Sequence, residues 1–287
     1  TMLIGQYNLT RVQEEMPQGF YLETEDGDRV LLPGSKAPKD LHEGDELTAF
    51  IYIDNEGRPV ATLQKPLATV DTFAVLEVKD VNETGAFLDW GLDKDLMLPF
   101  KQQLGELHVG DKCVVFILED KLSGRIVATE KLKSFIDRKP APEDLHIGQK
   151  VELAVYEVTE EYVDFLVNYR YSGRLFTRDL PQGEKFYIGD VGDGFIQNIR
   201  EDGKIDLSLS PVGYRATMQN SDSVMEKLEE AGGFLPLGDD ADPAAIREKF
   251  GLSKKAYKKI IGGLFRKGLI DITGNGIRKR DPQNRRR

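Results

Sequence analysis

The sequence predicts a multidomain, mainly β protein, with three tandem five-stranded barrels followed by a smaller α+β domain. Three observations predict it. A Gly-Asp phrase recurs ahead of apolar strands at 41–45 (LHEGD), 107–111 (LHVGD) and 186–190 (FYIGD). The stretches that follow align at 41–65, 107–131 and 186–210, each giving an apolar strand, a Gly-containing turn with a basic residue, and a second strand. From Asn220 onward the apolar spacing changes from the strand period to the helical one.

The preceding halves also match. Residues 68–100 align with 147–176, and residues 5–33 form a weaker copy; each reads as a strand, a strand with an aromatic centre, and a short third strand. Asn55-Glu56-Gly57-Arg58 and Glu201-Asp202-Gly203-Lys204 supply hairpin chemistry. Five strands in each unit suit small OB-type barrels, which close on themselves and leave no free edge. The expected boundaries are 2–66, 67–132 and 146–214 for the barrels. Polar, Pro-bearing 133–145 is expected as a mobile linker.

The last domain is expected over 220–281. Ser223 and Glu226 have the spacing of a capping box for a first helix. Asp242-Pro243 caps and opens a second, Gly251 ends it, and Ser253 caps a third. In that helix Tyr257, Ile260, Ile261, Leu264 and Phe265 form an apolar stripe. Leu269–Ile272, the turn TGNG and Ile277-Arg278 then read as a β-hairpin. Three helices and a hairpin describe a winged helix.

All three histidines, His42, His108 and His146, occupy the recurring phrase or its variant LHIGQ. Tyr187 takes the place in the remaining copy, and a phenol is no substitute for imidazole on zinc. The phrase therefore reads as structural punctuation ahead of a strand, and neither a metal nor a cofactor is expected. Cys113, the single cysteine, lies in an apolar strand and fits a reducing compartment. No apolar run is long enough to span a membrane, and no secretory leader opens the sequence, so a cytoplasmic location is expected.

The net charge of −10 is unevenly spread. Residues 253–287 hold 12 Lys/Arg against Asp271 and Asp281, a net of +10, which leaves −20 on the preceding chain. A basic tail suggests a polyanionic partner, while an acidic body argues against coating nucleic acid by bulk charge.

The stretches VNETGAFLDW and EEYVDFLV, with GKIDLSLS at 203–210, resemble the RNA-binding repeat of ribosomal protein S-one. Three such units followed by a winged helix resemble the bacterial conserved virulence factor B family. That resemblance implies a cytoplasmic RNA-binding protein that influences gene expression. In the third unit it matches Tyr162 and Phe165 to the aromatic pair of the second strand. Phe176 falls where the repeat often has a histidine, and Arg200 and Lys204 bring the cations of the last hairpin. In the second unit Phe87 and Arg125 match, with Thr84 and Leu98 replacing the other rings. In the first, Tyr21, Asp54 and Arg58 match, while Gln18 and Leu32 do not.

Such a site needs flat surfaces for bases and cations for phosphate. Trp90 is left unassigned. In the winged helix Lys254, Lys255, Lys258 and Lys259 alternate with the apolar stripe, extended by Arg266 and Lys267 and by Arg278, Lys279 and Arg280 after the hairpin. This set suits phosphate contact rather than base readout. No nucleophile elbow, P-loop or Cys/His cluster appears, so a non-catalytic protein binding single-stranded RNA is expected. The alternatives are a scaffold docked on the ribosome or RNA polymerase, and a winged-helix regulator of duplex DNA.

Overall fold

The structure, a computed structural model, describes residues 1–180, 183–210 and 214–280, with 214–219 described by backbone alone. The chain divides into two compact units, Thr1–Leu209 and Ser210–Arg287.

The first unit contains three closed five-stranded barrels. Barrel 1 is built from β1 (Gln6–Met16), β2 (Gly19–Thr24), β3 (Arg29–Pro33), β4 (Glu46–Ile53) and β5 (Pro59–Thr62). Barrel 2 uses β6 (Phe73–Asn82), β7 (Gly85–Asp89), β8 (Leu96–Pro99), β9 (Lys112–Glu119) and β10 (Ile126–Thr129). Barrel 3 uses β11 (Lys150–Val158), β12 (Tyr162–Val167), β13 (Tyr171–Phe176), β14 (Val191–Ile199) and β15 (Ile205–Ser208). In each, the first three strands form a meander, the last two a hairpin, and the third and fifth pair in parallel to close the barrel. The first strand of every barrel carries a bulge, between Val12 and Glu14, Val78 and Asp80, and Val155 and Glu157. A bulge bends the strand and re-aims a side chain, as closure of so small a barrel requires.

The recurring phrase is a turn. The backbone N–H groups of His42, His108 and Tyr187 donate to the side chains of Asp45, Asp111 and Asp190, each at 2.8 Å, and that of His146 donates to Gln149 at 3.0 Å. In the reverse direction Asp45 N–H donates to the His42 carbonyl at 3.1 Å, with the same bond in the other copies. The intervening Gly44, Gly110, Gly148 and Gly189 have φ between 88° and 92°. That left-handed backbone is the third position of a type II turn, where a side chain would be strained. The bonds that define the turn come from the backbone N–H groups and not from the histidine rings, although the His108 ring lies beside it, with Nδ1 3.6 Å from the Asp111 carboxylate. Among the described residues no group of His, Cys, Asp or Glu is placed to hold a metal ion.

Trp90 joins barrels 1 and 2. Its ring meets Phe50 edge-on at 5.6 Å, and its indole N–H donates to the Lys94 carbonyl at 2.8 Å. Barrels 2 and 3 share an apolar seam of Phe73, Val114, Phe116, Leu132, Ala154 and Leu166. Residues 133–145, expected as a linker, are held along their length. Phe135 stacks on Phe116 at 4.2 Å, Asp137 pairs with Arg170 at 2.6 Å, and Asp144 accepts a 2.8 Å bond from the Tyr171 hydroxyl. Asp137 also bridges to Tyr171 alongside β13, and Leu145 enters the core of barrel 3.

The second unit has α1 (Tyr214–Glu230), β16 (Phe234–Leu235), α2 (Pro243–Phe250), α3 (Lys254–Arg266), β17 (Ile270–Thr273) and β18 (Gly276–Lys279). The expected capping box is corrected, since α1 begins at Tyr214 and Ser223 lies inside it. Interior serine is only a modest helix penalty, and the burial of Val224 and Leu228 outweighs it. The other caps form as the residues dictate: Asp242 accepts from Ala244 N–H, Ser253 from Ala256 N–H, and Gly251 is left-handed at φ 67°. Two-residue β16 adds a third strand, in the order β16-β18-β17. Tyr257, Ile260, Ile261 and Leu264 pack in the core, and the Tyr257 hydroxyl donates to the Leu237 carbonyl at 2.6 Å. Phe265, counted in the same stripe, is instead 46% exposed.

Candidate nucleic-acid interface

On β12 the outward residues are Tyr162 and Asp164, while Val163 and Phe165 point into the barrel. On β13 they are Ser172, Arg174 and Phe176, with Gly173 and Leu175 inside. Cross-strand pairing places Tyr162 opposite Phe176 and Asp164 opposite Arg174, and the parallel pairing adds Asp206 beside Arg174. Both rings are half-buried at one end of this face.

The expectation for Phe165 is overturned. It is 2% exposed and meets Phe186 edge-on at 5.4 Å within the core. Strand side chains alternate, so residues three apart such as Tyr162 and Phe165 must lie on opposite faces. The same rule shifts the comparison between barrels. The residues matching Tyr162 and Phe176 in register are Gly85 and Pro99 in barrel 2, and Gly19 and Pro33 in barrel 1. Leu98 and Leu32, expected at the second ring position, are fully buried core residues. Tyr21 and Phe87 match Asp164.

Arg174, absent from the sequence-derived set, is the centre of the site. Its Nε and Nη2 donate to the two Asp164 carboxylate oxygens at 2.8 and 3.1 Å, and its Cζ lies 3.6 Å from the Tyr162 ring centroid. The Asp164 side chain is 7% exposed and the Arg174 side chain 41%. The bond to Asp164 holds the guanidinium pKa above its ordinary value. Alternation back from Phe176 would have found this arginine. Arg200 is fixed in the same way, donating twice to Asp206 at 3.0 Å, while Lys204 stays exposed across the hairpin. Arg178 lies with its Cζ 4.8 Å from the Phe176 ring. Tyr156, the bulge residue of β11, reaches the face and shares a 2.6 Å hydrogen bond with Ser172. Burial pushes its phenol up to about 12.

These residues border two adjoining depressions of about 420 and 260 Å³, which share Arg174, Phe176, Arg200 and Asp206. Two satisfied Arg–Asp pairs present flat guanidinium groups beside two rings, and Lys204 and Asn198 at the edges offer hydrogen-bond donors. Rings and guanidinium planes are the surfaces on which unpaired bases stack.

The other expected residues are dispersed. In barrel 1, Tyr21 is covered by Arg29 at 3.9 Å, and Asp54 and Arg58 pair across their hairpin at 3.1 Å. In barrel 2, Phe87 is half-buried, and the Arg125 guanidinium lies 3.5 Å from the Asn55 carbonyl in the hairpin of barrel 1. On α3, Lys255, Lys258 and Lys259 are exposed and Lys254 half-buried. Among the described residues none of these four has a carboxylate within ion-pairing distance. Arg266 is exposed at the end of the helix. The hairpin cations are already engaged: Lys279 pairs with Glu229, Arg280 with Asp271 at 2.6 Å, and Arg278 lies 5.0 Å from the Phe234 ring. The terminal arginines 285–287 lie outside the described residues.

Residues 4–64 and 72–131 match the family described as S1 domain, and residues 222–278 match the CvfB-like winged helix domain. With a third barrel of the same strand order, the fold defines a protein of S1 nucleic-acid-binding domains joined to a winged helix. S1 domains followed by a CvfB-like winged helix are the domain content of the conserved virulence factor B family, to whose members the chain is similar over nearly its whole length. It is 27% identical to the uncharacterized protein YitL of Bacillus subtilis, over 94% of this chain and 91% of that one. It is 24% identical to conserved virulence factor B of Staphylococcus epidermidis, over 94% and 92%. Among solved structures, a multidomain protein with nucleic acid binding domains from Streptococcus pneumoniae is 24% identical. That alignment covers 96% of this chain and 98% of the other, at a TM-score of 0.45.

Proposed function

We propose that this protein is a non-catalytic binder of single-stranded RNA that acts in post-transcriptional control of gene expression, with barrel 3 as its principal site. One observation carries the assignment. Barrel 3 alone has rings, Tyr162 and Phe176, at the paired positions where the other barrels have glycine and proline. Bases stack on these rings and on the Arg174 plane, and Arg178, Arg200 and Lys204 meet phosphate. The lysines of α3 add sequence-independent phosphate contacts, so affinity falls as salt rises.

The test is a titration of a short unstructured RNA with the full chain and with Tyr162→Ala combined with Phe176→Ala. Each stacked base contributes about 1–3 kcal/mol, so the double variant loses at least roughly 30-fold in affinity. A folded variant of unchanged affinity overturns the site. Preference for duplex DNA over the RNA would transfer the function to the winged helix.

A further inference from the structure

Residues 131–139 carry Lys131, Lys133, Arg138 and Lys139 against one acid, Asp137, which is paired with Arg170. Four cations in nine residues contrast with the strongly acidic chain around them. The segment is fixed at several points. Leu132 is buried in the seam, Phe135 stacks on Phe116, and Asp137 bridges to Tyr171. Its far end presses on the barrel 3 hairpin, since a Cβ on Gly203 would stand 2.0 Å from the Arg138 carbonyl oxygen. Gly203 is also left-handed, at φ 87°, so this position demands glycine on both counts.

The placement gives the segment two neighbours. On one side Lys133, Ile136 and Arg138 wall the larger depression on the barrel 3 face. On the other, Lys131, Leu132 and Lys133 line a groove of about 570 Å³ between barrels 2 and 3. Leu104, Val158 and Ile188 supply its apolar surface and are all exposed. Lys133 and Tyr156 border both hollows, so groove and face are continuous. Glu130 and Glu157 also line the groove, and the Lys133 ammonium lies 4.0 Å from the Glu157 carboxylate. The apolar residues suit a base, and the lysines suit its phosphate, with Lys133 exchanging Glu157 for it.

We propose that residues 131–138 form a strap that extends the site, with Lys131, Lys133 and Arg138 holding the phosphates of an RNA strand that passes from the barrel 3 face over Tyr156 into the inter-barrel groove. This rests on the reading of barrel 3 as the RNA site. It makes the bound length greater than one barrel face spans.

Labelled oligouridylates of about four and about twelve nucleotides separate the two claims, because a single OB barrel covers as few as four. The longer probe binds the full chain at least tenfold more tightly. Ile188→Glu removes that advantage and leaves the short probe unaffected. Leu104→Glu, at another exposed groove position, does the same and guards against a misfolded variant. Lys133→Ala with Arg138→Ala makes the slope of log affinity against log salt shallower for the longer probe, by about 0.7 per phosphate left without its cation. Equal affinity for the two lengths, or groove variants that bind the longer probe normally, overturns the strap while barrel 3 stands. Normal binding of the short probe by the Tyr162 and Phe176 variant overturns the reading beneath it.

Discussion

Barrels 1 and 2 and barrel 3 share a strand order and a bulge, yet their equivalent faces differ in chemistry. The matched outward positions read Tyr21–Leu31–Val60 in barrel 1, Phe87–Met97–Val127 in barrel 2 and Asp164–Arg174–Asp206 in barrel 3. At the end of the hairpin, Gly19–Pro33 and Gly85–Pro99 become Tyr162–Phe176. Two barrels thus carry uncharged, mostly apolar side chains and a flat hairpin end on this face, whereas the third turns it into a charged platform edged by rings. One backbone therefore presents different surfaces, because the core positions set the barrel and leave the outward positions free.

The largest expected effect breaks that comparison directly. Removing Tyr162 and Phe176 weakens RNA binding at least roughly 30-fold, whereas Tyr21→Ala with Phe87→Ala changes it less than about threefold. Equal losses from the two pairs, measured by the same titration, would mean that all three faces bind alike.

Stability separates the barrels next. Asp164→Ala leaves Arg174 in place without the carboxylate that satisfies it, and a group stranded in this way costs about 1–3 kcal/mol. Arg58→Ala in the barrel 1 hairpin removes a side chain that is 67% exposed and leaves Asp54 bonded to the backbone N–H groups of Glu56 and Arg58, so it costs less than about 1 kcal/mol. Urea unfolding of both variants measures the difference, and a larger loss for Arg58→Ala would reverse the ranking of the two pairs.

A smaller difference is expected between two hairpin glycines. Gly57 and Gly203 are both left-handed, so alanine costs about 1–2 kcal/mol at either. A Cβ at Gly57 meets nothing within 4 Å, while at Gly203 it collides with the strap. Overpacking of this kind adds about 1 kcal/mol to the loss from Gly203→Ala in the same unfolding measurement. The variant also weakens binding of the longer RNA. Equal unfolding midpoints would mean that the strap yields to the hairpin at little cost.

The fold was legible because it is written three times: repeated Gly-Asp turns, hairpin glycines and alternating apolar residues each constrain every barrel. The site was legible only in part. Tyr162, Phe176 and Lys204 came from likeness to a known repeat and Arg200 from its place four residues before Lys204, and the structure brings them together. Phe165 failed because a two-residue period was set aside for a match of residue types. Arg174 was missed because no aromatic or hairpin signal marks it, although alternation from Phe176 reaches it. The strap was hidden for a different reason. Proline and polar residues read as a linker, and the ring stack of Phe135 on Phe116 that pins it joins residues 19 apart in sequence. Ser223 misled because a capping spacing can occur inside a helix whose start is set further upstream.

The smallest effect concerns the position after the last strand, where Leu63 and Leu209 of barrels 1 and 3 correspond to Glu130 in barrel 2. Burial pushes the Glu130 carboxyl above its ordinary pKa, although it accepts a 2.7 Å bond from the Leu104 N–H. Burial, followed by the Glu130 charge, also drives the nearby Cys113 thiol up to about 12. A carboxyl whose folded pKa exceeds its unfolded value opposes folding once pH rises above the unfolded value, because the unfolded chain then ionises more readily. Glu130→Gln keeps an acceptor for Leu104 and removes the charge, so it raises the melting midpoint at pH 7. The gain disappears as pH falls below the ordinary glutamate value of 4.5. Thermal melts of both proteins across that range read the effect. A gain that persists at acid pH would assign it to packing, and a loss at pH 7 would mean that the charged form is the one barrel 2 needs.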